Sequence, residues 1–204
     1  MMQVTKVEEL DKTRSKVYLD GEFAFVLYKG ELRQHQIRVD RELSKDIYEL
    51  IMAEVLPKRA RLRAMHLLQK KEYTVTQLRE KLEQGLYPER VVDAALDYVA
   101  SFHYTDDLRY ALQYITFHED DRSRLRIEQD LMGKGISRDT LDAAWQTWEE
   151  QGGAQDEVQM MQRLLEKRHF DPETADFAQK QKQAAFLMRK GFSTENIRKI
   201  LYYS

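Results

Sequence analysis

The pattern of apolar and polar positions changes character about forty residues into the chain. Before that point its period is two. In "SKVYLDGEFAFVLY", Ser15 to Tyr28, apolar and polar residues alternate on both sides of Asp20-Gly21. A strand turns successive side chains to opposite faces, so this stretch reads as two half-buried strands. Asp-Gly accepts the positive φ angles of a type I′ turn, which makes the pair a hairpin. The preceding "MQVTKVEEL" supplies a third strand, and "KGELRQHQI" reads as a short helical turn. From Leu43 onward the period becomes helical. Ser44 stands where it can cap "KDIYELIMAEVL". Pro57 falls in the first turn of the next helix, where its missing N–H costs nothing.

The helical part repeats itself. "LEQGLYPERVVDAAL" from Leu82, "LMGKGISRDTLDAAW" from Leu131 and "LMRKGFSTENIRKIL" from Leu187 align without gaps. Apolar residues coincide at Leu82, Leu131 and Leu187; at Tyr87, Ile136 and Phe192; at Val92, Leu141 and Ile197; and at Leu96, Trp145 and Leu201. The spacing predicts a corner between two helices. A glycine at 135 or 191 takes the left-handed conformation that ends a helix, and the next residue folds back onto the one five earlier. Ser137 or Ser193 then caps a new helix, and the apolar residue before it packs on the fourth helical position. One apolar side chain thus pins two helices. In the first copy Leu86 stands where glycine is expected, so that turn is predicted to be strained or shifted by one residue. A further helix precedes each corner, in "RARLRAMHLLQKKEY", "TDDLRYALQYITFH" and "DEVQMMQRLLEKRHF". Each unit is three helices in about 50 residues, too small to bury much apolar surface alone.

Composition favours an extended helical chain. Of 204 residues 33% are charged and 42% hydrophobic, with three prolines and eight glycines. The mean hydropathy is −0.69. The expected fold is mostly α: an elongated array of three tandem three-helix repeats preceded by a small N-terminal β-hairpin or β-sheet segment. The expected divisions are a β-rich extension over 1–43, a linker helix with the first repeat over 44–104, the second repeat over 105–152 and the third over 153–204. A net charge of −2 makes any contact with nucleic acid local. With no cysteine, disulfides, thiolate zinc sites and cysteine nucleophiles are excluded. "MMQVTKVEEL" lacks a basic-then-apolar signal and no apolar run approaches membrane length, so a cytoplasmic location is expected.

Candidate chemistry is sparse. "LMGKGIS" is not a phosphate loop, because GxxxxGK[ST] after a strand is absent; its glycines punctuate helices. Asp106 and Asp107 could hold a metal or exchange protons, but they also suit a helix start. His35, His66, His103, His118 and His169 fall in no metal-binding frame. Trp145 and Trp148 could stack on bases, but Trp145 occupies a repeat-matched apolar position and reads as core. No catalytic, cofactor or metal residue is assigned. Basic residues gather at Lys58, Arg59, Arg61, Arg63, Lys70 and Lys71; at Arg122, Arg124 and Arg126; and at Arg189 and Lys190, with Arg198 and Lys199 nearby. They are candidates for a phosphate-facing surface, although Glu119, Asp120 and Asp121 offset the second group.

The stretches "HYTDDLRYA" and "SRLRIEQDLMGKGIS", with the spacing between them, resemble the RecX family of bacterial regulators of the RecA recombinase. The resemblance runs from about Arg59 to the C-terminus, with departures at His103, Ser123, Leu86 and Asp130-Leu131. It implies tandem three-helix repeats and no catalysis. It also implies binding to RecA, especially to the RecA–DNA filament, with negative modulation of recombination and the SOS response, and some contact with DNA. A monomer without cofactor and away from the membrane is expected. A helix-turn-helix-like DNA-binding protein is the alternative, since short helix pairs suit groove reading. "PERVVDAALDYV" and "SRDTLDAAWQTW" are too acidic and apolar for it, and "STENIRKILYY" suits it better.

Overall fold

The structure is a computed structural model and describes residues 2–203. The chain divides after Asp106 into two compact units.

The first unit begins with an antiparallel sheet of β1 (Met2–Glu9), β2 (Arg14–Leu19), β3 (Glu22–Tyr28) and β4 (Glu42–Leu43), ordered β3-β2-β1-β4. Asp20 and Gly21 have φ of 50° and 92°, as a type I′ turn demands. Leu43, read from sequence as the start of helix, instead closes the sheet by pairing with Met2. A two-residue edge strand has no period to read, which is why it escaped the pattern. Alternate side chains Val17, Leu19, Phe25 and Leu27 enter one core with Ile51, Leu56 and Ala60.

Helix α1 (Lys29–Gln34) follows β3. Ser44 caps α2 (Lys45–Leu50), accepting the Ile47 amide at 3.3 Å. The sequence placed Pro57 in the first turn of a new helix; it does stand in that turn, but no break precedes it. The chain instead runs from α2 through a π-helical turn, Ile51–Val55, straight into α3 (Leu56–Leu68). A proline brings no N–H and crowds the carbonyl four residues back. The wider turn before it, closed by Leu56 N–H on Ile51 O, lets the helix continue. Helices α4 (Val75–Glu83) and α5 (Glu89–Ser101) complete the first repeat.

The second unit holds α6 (Asp107–His118), α7 (Arg124–Met132) and α8 (Arg138–Glu150), then α9 (Glu157–Glu166), α10 (Phe177–Arg189) and α11 (Thr194–Tyr202). Each trio has its own core. One contains Ile127, Leu131, Ile136, Leu141, Trp145 and Trp148, and the other Met161, Leu165, Leu187, Phe192, Ile197 and Leu201.

The corners form as their spacing predicts. Gly135 and Gly191 have φ of 85° and 88°. Ile136 N–H reaches Leu131 O at 3.1 Å and Phe192 N–H reaches Leu187 O at 3.2 Å, the six-to-one bond of a Schellman turn. Ser137 and Ser193 accept the Thr140 and Asn196 amides at 3.1 and 3.2 Å. The same turn also ends helices that lack glycine. His103 (φ 55°) is followed by Tyr104 N–H on Val99 O, His169 (51°) by Phe170 N–H on Leu165 O, and Gln36 (53°) by Ile37 N–H on Leu32 O. The pattern is therefore wider than the three aligned copies.

Leu86 takes the strained option, with φ of 59°. Left-handed backbone costs leucine about 1–2 kcal/mol, and glycine raises the entropy lost on folding by about 0.4–1 kcal/mol. Leu86→Gly is therefore expected to stabilise the protein by about 0.5–1 kcal/mol. A urea midpoint unchanged or lowered in that variant would show that the leucine contacts outweigh the strain.

Candidate functional site

Three of the sequence candidates stand in structural positions. Asp106 precedes α6 and Asp107 lies in its first turn, as expected of acids at a helix start. Trp145 and Trp148 are buried edge to face, 5.4 Å apart, and Trp148 Nε1 donates to Glu119 at 2.8 Å. Neither ring is open to a base. Nδ1 of His118 lies 2.9 Å from Asp121 Oδ1. Among the described residues no three His, Cys, Asp or Glu side chains are grouped to hold a metal.

The basic residues separate by what already holds them. On α3, Arg59 is committed: its guanidinium pairs with Glu31 at 3.0 Å, donates to Val26 O at 3.2 Å and lies 4.3 Å from the Tyr28 ring. It straps the helix to β3 and α1. Arg61 lies over Tyr98. Lys58, Arg63, Lys70 and Lys71 are exposed. In the second group Arg124 pairs with Glu128 and Glu149 at 3.2 and 2.9 Å, and covers the Trp145 ring at 4.5 Å. Three further acidic residues are also engaged: Glu150 accepts from Gln146, Asp156 caps α9 and Glu157 accepts from Asn196.

Arg122 and Arg126 are arranged differently. Both reach Asp130, at 2.6 and 3.0 Å, one on each carboxylate oxygen. Arg122 also donates to Tyr114 Oη at 2.7 Å. Burial pushes the Tyr114 phenol above its ordinary pKa, so the hydroxyl keeps its proton for Asp130. These contacts fix the guanidinium groups. They do not use all five N–H donors that each guanidinium carries.

The second and third repeats meet at this point. Ser123 caps α7 and is fully buried, because its hydroxyl also donates to Lys190 O at 2.9 Å. Gln155 Nε2 bonds Glu119 O and Arg122 O, both at 2.9 Å, and so ties the α6–α7 loop to the segment leading into α9. The result is a cleft of about 500 Å³ lined by Arg122, Arg126, Arg189 and Lys190, by one carboxylate, Asp121, and by the apolar side chains Leu164, Phe186 and Phe192. Asp121 is already turned toward His118 and Arg122. Two basic groups more than sixty residues apart in sequence thus share one concavity. Neither Asp130, noted from sequence only as a departure from the family pattern, nor Tyr114 was read as a site residue. Asp130 was legible in principle, four residues after Arg126 on one helix. Tyr114 depends on the packing of α6 against α7 and leaves no sequence signal.

Comparison with known proteins agrees with this architecture. Residues 60–98 match the family model described as RecX, first three-helix domain, and residues 155–201 match RecX, third three-helix domain. The regulatory protein RecX of Trichlorobacter lovleyi is 30% identical over 143 residues, covering 68% of this chain and 91% of that one. That of Clostridium acetobutylicum is 23% identical over 203 residues, covering 97% and 94%. A crystal structure of regulatory protein RecX superposes with a TM-score of 0.63 over all of both chains at 24% identity, and RecX from Lactobacillus salivarius with 0.57 over 73% of this chain and 96% of that one at 18% identity. Corners, repeats and relatives lead to one conclusion: the chain belongs to the RecX family of regulatory proteins.

Proposed function

We propose that the chain regulates the RecA recombinase by binding the RecA nucleoprotein filament, and that this binding restrains filament growth, ATP hydrolysis, strand exchange and coprotease activity. The observation that carries the reading is the gathering of Arg122, Arg126, Arg189 and Lys190 on one cleft between packed repeats. Concentrated positive charge on an otherwise acidic protein suits adhesion to a polyanionic assembly. Repeat proteins also place many modest contacts in a row, and linked contacts gain through effective concentration.

The test adds the chain to RecA-coated single-stranded DNA and measures co-sedimentation and ATPase rate. Preference for the coated strand over naked DNA, with a slowed ATPase, is the expected result. Equal partition between coated and naked strands, with unchanged hydrolysis, would refute the proposal.

The exposed cations of α3 are proposed as a second contact. Lys58→Glu with Arg63→Glu is expected to weaken filament binding and flatten its salt dependence. Arg59 is left in place because its reversal would break the strap to Glu31 and Val26. Unchanged affinity and salt slope would remove that helix from the interface. The groove-reading alternative gains little from α11: Lys199 pairs with Glu195 at 2.7 Å and Asn196 with Glu157 at 3.2 Å, so two of its polar side chains are already occupied.

A further inference from the structure

We infer that the third repeat carries a docking groove for an acidic amphipathic helix of a protein partner, on the face shared by α10 and α11. The groove has no lining residue in common with the basic cleft, and the inference does not rest on filament binding.

The three repeats differ at equivalent positions of this face. Three residues before the aligned leucines stand Arg79, Glu128 and Ala184. Seven after them stand Glu89, Arg138 and Thr194, and eleven after them Asp93, Asp142 and Arg198. In the first repeat Arg79 crosses from α4 to Asp93 on α5 at 2.7 Å. In the second, Arg138 on α8 reaches Glu128 on α7 at 3.4 Å. Long charged side chains bridge the seam between the last two helices of both repeats. In the third, alanine and threonine cannot form such a bridge, and a groove of about 420 Å³ lies along the seam.

Its walls are apolar and aromatic. Phe177, Gln181, Ala184 and Met188 recur at helical spacing along α10. Thr194, Arg198 and Tyr202 form the facing ridge on α11, with Tyr203 at its end. Phe177, Met188 and Tyr203 are 69%, 56% and 79% exposed. Single exposed apolar side chains are ordinary, but several on one concavity mark a contact surface. Phe, Met, Tyr and Arg are also the residues enriched where proteins meet.

Charge selects the occupant. Among the described residues no carboxylate lines the groove. Arg198 lines it, and Lys180 lies 5.7 Å from the Tyr202 ring. A second copy seated face to face would set these cations against their own equivalents, because a two-fold contact uses the same patch twice. An acidic segment meets them with opposite charge. The α10 ridge from Phe177 to Met188 is roughly 16 Å long, three turns of helix. A partner helix with apolar residues one and two turns apart, flanked by Asp or Glu, matches that length and spacing.

The test uses the full chain without RecA. A displayed library of random peptides of about 16 residues, long enough to fold into a helix on binding, is selected on the wild type. Counter-selection uses Ala184→Glu with Thr194→Arg, which copies the Glu128–Arg138 bridge of the second repeat into the third at unchanged net charge. Recovered peptides are then labelled with fluorescein and titrated by anisotropy. Urea unfolding reports the fold of each variant, and Arg198→Glu with Met188→Ala, both at exposed positions, carries the comparison if the bridged variant unfolds.

Recovered peptides are expected to show helical apolar spacing with acidic flanks. They should bind the bridged variant and Arg198→Glu at least about tenfold more weakly than the wild type. A peptide with its carboxylates replaced by lysine should prefer Arg198→Glu to the wild type. The inference is overturned if the recovered peptides are basic or lack the spacing, or if the folded bridged variant binds as well as the wild type. Displacement of the peptide by an oligothymidylate would overturn it in favour of nucleic acid. Self-association of the wild type that Met188→Ala abolishes, followed by sedimentation equilibrium, would overturn it in favour of a second copy.

Discussion

Gly191→Ala is expected to destabilise the second unit by about 1.5–4 kcal/mol. Two costs combine. The backbone at Gly191 has φ of 88°, where a Cβ costs about 1–2 kcal/mol, less about 0.4–1 kcal/mol of entropy that alanine saves. That Cβ would also stand 2.6 Å from Ser123 Oγ and 3.2 Å from the Arg126 amide nitrogen. Overpacking against atoms that cannot retreat adds about 1–3 kcal/mol, and Ser123 cannot retreat without giving up the α7 cap or its bond to Lys190 O. Gly152→Ala separates the two costs. Gly152 has φ of 87° but open space around the added methyl, so that variant should lose only about 0.5–1 kcal/mol, the left-handed cost less the entropy that alanine saves. Urea unfolding followed by circular dichroism measures both. Equal losses would mean that the contact between Gly191 and Ser123 contributes nothing.

Trp145→Ala is expected to cost about 3–5 kcal/mol, the range for emptying a large aromatic site. Trp145 is almost fully buried, meets Trp148 edge to face and is covered by Arg124. Its indole Nε1 is buried without a hydrogen-bond partner. An unmet buried donor costs about 1–3 kcal/mol, so Trp145→Phe removes a penalty along with the lost volume. That variant should fall within about 1 kcal/mol of wild type. The pair is checked by the same unfolding curves. A phenylalanine variant as damaged as the alanine variant would show that indole volume, and not the unmet donor, governs this core.

Much of the fold was legible because its signals are local. Asp20-Gly21 announces a hairpin in two residues, and each corner announces itself within fifteen. The π turn before Pro57 was not legible: proline usually marks a helix start, and it is the wider turn before it that lets this helix continue. Leu86, His103 and His169 in left-handed backbone mark the opposite limit. Sequence flagged Leu86 because two aligned copies carry glycine there, and His103 as a departure from the family pattern, while His169 has no such reference. The cleft was half legible. Its cations were visible as two separate clusters, but their meeting depends on a hydrogen bond between residues 123 and 190. Pattern also could not sort them. Arg59 and Arg124 look like Arg189 in the sequence, and only their partners show that the first two are already committed.

The Ser123–Lys190 bond spans 67 positions of chain, whereas each corner closes over five. Short closures form fast and repay their entropy at once; long ones wait for both ends to exist. The trios of the second unit should therefore assemble individually and latch afterwards, and the latch should be the first thing to let go under mild stress. Amide exchange at Arg126, whose N–H rests on Ser123, would then run ahead of exchange inside either trio.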